Sequence, residues 1–173
     1  MKPPGWQGIL DDDEEIIWQG RPDGRIVLRA GNIFMILFGL AFAGFALVWM
    51  IIAASAGGFF WAFGLVHFGV GLSLAFGSLF FSAYRRRNTW YTLTSKRAFI
   101  ATNLPIQGKR LKSFPITADT SLELEQGDPA SIYFASEIQR GKNSNYQVRV
   151  GFERIRDGAE VFKKFRDVQE NAA

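Results

Sequence analysis

The chain has no cysteine, a single histidine at position 67, and no Asp, Glu, Lys or Arg over the fifty-five residues from Ala30 to Tyr84. Lack of cysteine excludes a disulfide framework, a thiolate metal site and a thiol nucleophile. The lone imidazole lies inside the uncharged block, and neither a P-loop nor a dinucleotide fingerprint is present. The opening MKPPGWQG has no basic stretch leading into an apolar core, so no cleavable signal peptide is expected. No catalytic residue, metal ligand or cofactor is assigned, and an enzyme is not expected.

What is present is apolar and unevenly spread: 11 of the 17 Phe and 9 of the 18 Gly fall between positions 30 and 84. A spanning helix needs about 20 predominantly apolar residues. Fifty-five suffice for two with a tight turn, whereas one unbroken helix would be about 80 Å long. The expected spans are 32–54 and 59–83, joined by Ser55-Ala56-Gly57-Gly58, with Asn32 as N-cap of the first. Arg21, Arg25 and Arg29 precede the first span, Arg85, Arg86 and Arg87 follow the second, and the tip is uncharged. The positive-inside rule then puts both termini in the cytoplasm. Trp49, Phe59, Phe60 and Trp61 would form the outer aromatic belt, with Tyr84, Trp90 and Tyr91 near the inner one.

Gly69, Ser73 and Gly77 recur every four residues on the second span, a spacing that lets helices approach closely. Gly39 and Ala43 offer a matching face on the first. The row either packs the hairpin against itself or forms a self-association surface. An ionisable group within a span is a functional candidate, but a neutral His67 bonded to a backbone carbonyl or hydroxyl is the simpler reading. Gly71-Leu72-Ser73 falls short of a G-x-S-x-G elbow because Ala75 occupies its last position.

The chain thus divides into 1–31, 32–84 and 85–173. The first part carries the acidic run Asp11-Asp12-Asp13-Glu14-Glu15, which lacks calcium-loop spacing and reads as a solvated segment. Ile16-Ile17-Trp18 is apolar enough for a short strand or for docking on the next domain. Residues 85–173 carry a net charge of +6 and alternate with period two. Tyr146, Val148, Val150 and Phe152 form one face, and Leu122 and Leu124 another. Further strands are expected at 89–94, 97–103, 109–116 and 131–137. A capping box from Asp157 to Glu160 opens a helix to about Glu170, with Val161, Phe162, Phe165 and Val168 on one side. Six or seven short strands and this helix make a small antiparallel barrel or sandwich, the helix plugging an open end or face. Lys96, Arg97, Lys109, Arg110 and Lys112 would cluster on neighbouring strands. Lys96 and Arg97, with Arg85, Arg86 and Arg87, are the candidate contacts to an anionic membrane surface. No nucleic-acid-binding pattern accompanies this charge.

The string Tyr91-Thr-Leu-Thr-Ser-Lys-Arg97-Ala-Phe-Ile100 resembles the Y-x-L-T-N-x-R signature of bacterial pleckstrin-homology-like (PH-like) domains. Glu15-Ile-Ile-Trp-Gln-Gly-Arg-Pro22 is similar to the segment preceding the hairpin in their membrane-bound members. With the Gly151-Phe-Glu-Arg-Ile155 run, the resemblance covers nearly the whole chain. It implies an α+β membrane protein: a two-helix transmembrane hairpin, then a small antiparallel PH-like β-barrel with a C-terminal α-helix. It also implies a non-enzymatic scaffolding or interaction module in the bacterial cytoplasmic membrane. Its expected partners are the lipid bilayer and either a protein or a second copy of itself. Ser95 replaces the usual Asn, and the phosphoinositide-binding basic pattern is not reproduced. The alternative is a small subunit of an oligomeric transport or channel complex, whose pore would use His67 or the small-residue face.

Overall fold

The computed structural model describes residues 5–105, 107–141 and 144–172. Two helices are long and apolar enough to cross a membrane. The first, α1, runs Ala30–Ser55 and the second, α2, Gly64–Arg87; the 3-10 turn Phe60–Phe63 precedes α2. At the tip, Gly57 and Gly58 take φ of 82° and 79°, a left-handed conformation that side chains resist. Asn32 does not cap α1 as expected. It sits a turn inside and reaches back, its Oδ1 accepting the Arg29 amide at 3.1 Å. At the far end, Arg85, Arg86 and Arg87 form the last turn of α2, where cations oppose the negative end of the helix dipole.

The small-residue contact between the helices uses a different row from the expected one. A Cβ on Gly39 would lie 2.5 Å from the Ala75 amide nitrogen, and one on Gly71 would lie 2.7 Å from that of Ala43. Gly71, Ala75, Leu79 and Ala83 are the buried row of α2, facing Gly39, Ala43 and Ala46 of α1. Gly39 and Ala43 therefore serve as expected. Gly69 and Gly77 have open space where a side chain would go. The two α2 rows lie two residues apart, about 200° around the helix. Outward, the hairpin presents bare apolar side chains, Phe34, Phe45 and Phe59 being 71, 73 and 80 % exposed.

The remaining chain forms two antiparallel sheets. One contains β1 (Ile16–Gly20), β2 (Thr89–Thr94), β3 (Arg97–Leu104) and β4 (Gly108–Pro115), in that order. The other contains β5 (Glu123–Glu125), β6 (Ala130–Arg140) and β7 (Asn145–Ile155). Among the described residues no hydrogen-bond ladder joins the sheets, so the expected closed barrel does not form. Instead their inner faces pack together: Tyr91, Leu93 and Ala98 meet Ile132, Phe134 and Phe152. Helix α3 (Gly158–Asn171) covers this core with buried Val161, Phe165 and Val168. Phe165 lies 5.2 Å, centroid to centroid, from both Phe134 and Phe152. Asp157 stands at the N-cap but makes no side-chain capping bond. The expected capping box therefore marks the helix start without its reciprocal hydrogen bonds.

The sequence-distant strand β1 pairs with β2, placing Trp18 beside Leu93 and Gly20 beside Tyr91. The N-terminal segment up to Asp23 consequently belongs to the same compact unit as residues 85–173, while Gly24–Tyr84 forms the other unit. The whole hydrophobic hairpin is an insertion between two adjacent strands of one sheet.

Candidate functional site

The N-terminal acidic run is not merely solvated; it clasps the β2–β3 turn. Glu14 is enclosed, with no side-chain surface exposed. Its carboxylate accepts the Arg97 guanidinium at 2.7 and 3.0 Å, the Thr94 hydroxyl at 2.6 Å and the Asp11 amide at 3.0 Å. Thr94 in turn accepts the Arg97 amide at 3.0 Å. Around this centre, Asp11 pairs with Arg97 at 3.1 Å and Asp13 with Lys96 at 2.6 Å. Glu15 and Ser95 complete the join, since the Ser95 amide donates to the Glu15 carbonyl at 2.9 Å.

Burial on its own would push the Glu14 carboxyl up. The hydrogen bonds from Arg97, Thr94 and Asp11, with the positive charge of Arg97, reverse that and hold it at about 2. A folded-state pKa below the unfolded value, about 4.3, stabilises the fold above that value. The contribution fades as pH falls from about 4.5 towards 2. In denaturation titrations, the stability gap between the wild type and Glu14→Gln should therefore be widest above pH 5 and close near pH 2.

The signature string is thereby a set of structural roles. Leu93 is fully buried in the core. The Tyr91 hydroxyl accepts the Glu153 amide at 3.2 Å, and burial, with the charge of Glu153, raises its pKa above the ordinary phenol value. Thr94 and Arg97 hold Glu14. Farther along, Arg154 adopts φ of 55°, uncommon for a side-chain-bearing residue. Its carbonyl accepts the Asp23 amide at 2.8 Å and its guanidinium lies 3.4 Å from the Asp23 carboxylate. Arg86 donates to the Asp23 carbonyl at 3.0 Å. Asp23 thus ties the stretch leaving β1 to the stretch leading into β2 and to the end of β7.

The five cations expected to cluster on neighbouring strands are split by register. Arg97 pairs with Pro115 at one end of the sheet, and Asn103 with Lys109 at the other. Lys96 and Arg97, two of the candidate membrane-surface contacts, are engaged by the acidic run. Lys112 binds Glu137 of β6 at 2.6 Å, bridging the two sheets. Among the described residues, Arg21, Arg85, Lys109 and Arg110 form no ion pair. Arg21 instead lies over the Trp90 ring, 4.7 Å from its centroid.

Within the hairpin, His67 Nδ1 is 3.4 Å from the Phe63 carbonyl one turn earlier, and its ring meets those of Phe42 and Phe63. That is the backbone-bonded histidine of the simpler reading. Gly69 and Ser73 are exposed and Gly77 half-buried, all outside the α1 contact. Among the described residues, no three His, Asp or Glu side chains converge to hold a metal ion. No protein-family profile, curated protein or solved structure matches this chain.

Proposed function

We propose that this chain is a membrane-tethered, PH-like interaction or scaffolding module of the bacterial cytoplasmic membrane. It acts without catalysis, keeps both termini on the cytoplasmic side, and binds a protein partner or assembles with itself. The observation that carries this reading is the insertion of the hairpin between β1 and β2. A domain that begins before two apolar helices and finishes after them is tethered by both connections at once. The outward apolar face of those helices supports a lipid environment, because soluble proteins rarely expose contiguous apolar patches beyond a few hundred Å². Seven strands in sheets of four and three, closed by a C-terminal helix, support the PH-like assignment. Fold alone does not specify function, so the partner has to be captured.

Ile138 and Tyr146, 74 and 52 % exposed near the end of the β6–β7 hairpin, are suitable positions for photo-reactive side chains in living cells. The expected result is a discrete adduct, either with one other protein or at twice the chain's own mass. A strict monomer in mild detergent, together with no adduct from either position, would count decisively against the reading.

A further inference from the structure

We infer that one end of the four-stranded sheet, that of Gly20, Thr89, Leu104 and Gly108, is a docking surface for anionic phospholipid. The inference rests on the membrane-tethered reading above and adds to it a ligand and a place. Trp90, Ala101 and Leu111 stand directly opposite one another across β2, β3 and β4. With Asn103, Lys109 and Arg110 they line a groove of about 450 Å³. Its floor is apolar and its rim is cationic, as a phosphate joined to a glycerol and acyl chains requires.

Charge distribution identifies the occupant. At the opposite end of the same sheet, Lys96 and Arg97 are neutralised by Asp11, Asp13 and Glu14. At this end Lys109, Arg110, Arg21 and Arg85 carry no carboxylate partner among the described residues, and Arg21 covers the Trp90 ring. Connectivity reinforces the choice, because the chain enters β2 straight from the arginine turn of α2 and leaves β1 towards α1. Trp90 is only three residues beyond Arg87, about 10 Å of extended chain. Tryptophan belongs at a membrane interface. Each Lys or Arg held near an anionic leaflet is worth about fivefold in the docking equilibrium.

The chain's lack of cysteine makes a clean test possible. A fluorophore on Gln107→Cys, in the β3–β4 turn, is compared with one on the exposed Ala118→Cys, just beyond Pro115 at the opposite end of the sheet, in full-length protein, one copy per nanodisc. The discs hold either phosphatidylcholine alone or a mixture containing 30 % phosphatidylglycerol, both doped with a headgroup-nitroxide lipid. Quenching at position 107 should be strong only in anionic discs and at least tenfold weaker after Lys109→Glu with Arg110→Glu, while position 118 stays unquenched. Raising KCl from 0.1 to 1 M shortens the screening length from about 10 to about 3 Å and should abolish the quenching without any substitution. Equal quenching in both lipids, or quenching indifferent to charge reversal and salt, overturns the inference while leaving the tethered module intact. An acidic protein or second copy as the true occupant would show as no quenching in single-copy anionic discs. Failure of the chain to insert into discs at all overturns both readings.

Discussion

Replacing Arg97 with alanine should lower the stability of the strand-rich unit by about 2 to 3 kcal/mol, or roughly 10 °C in Tm. Removing one partner of a buried pair strands the other, and Glu14 has no surface through which water could replace the guanidinium. The figure is set below the 3–5 kcal/mol typical of fully buried pairs because Arg97 keeps a quarter of its side chain exposed. Lys96→Ala, which removes only an exposed partner of Asp13 and Asp11, should change little, as surface ion pairs generally do. Denaturant titration of full-length protein in micelles, followed by near-ultraviolet circular dichroism, reads both variants. Equal losses for the two would mean that the carboxylate is not shut away from solvent.

A larger disruption is expected inside the hairpin. Gly71→Leu forces a side chain where even a Cβ would stand 2.7 Å from the Ala43 backbone nitrogen and 2.8 Å from the Gly39 carbonyl oxygen. Backbone cannot rotate aside as a side chain can, so α1 and α2 must separate. The expected loss is about 3 kcal/mol, the upper end of ordinary overpacking. Gly69→Leu and Gly77→Leu, with nothing in the way, should leave the hairpin within about 0.5 kcal/mol of wild type. Energy transfer between probes placed on α1 and α2 in mild detergent distinguishes the rows. A hairpin that survives Gly71→Leu but opens with Gly69→Leu would invert the helix phase described here.

Much of this architecture could be read from residue order alone, because its causes are local. The uncharged block from Ala30 to Tyr84 announces two apolar helices; period-two runs locate β5 and β7, and segments bounded by turn residues locate β2, β3, β4 and β6, to within a few residues. The apolar face of α3 follows from the spacing of Val161, Phe165 and Val168. Local pattern failed where partners are distant. Acidity at positions 11–15 looks like solvation until Arg97 and Thr94 are brought beside Glu14, and periodicity carries no trace of that pairing. Helix phase failed for a different reason. Gly69-Ser73-Gly77 and Gly71-Ala75 both satisfy small-residue spacing, and only the position of α1 selects between them. Barrel closure is likewise a matter of how strand edges meet, which alternation along a single strand does not encode.

Inserting the hairpin between β1 and β2 also dictates an order of events during synthesis. Glu14 emerges from the ribosome 83 residues ahead of Arg97, and both greasy helices are made in the interval. Until β2 and β3 follow, the first strand has no neighbour in its sheet and the Glu14 carboxylate lacks Arg97. The strand-rich unit is therefore completed only after both apolar helices have been made, and a chain stalled before β2 carries an unpaired β1 edge.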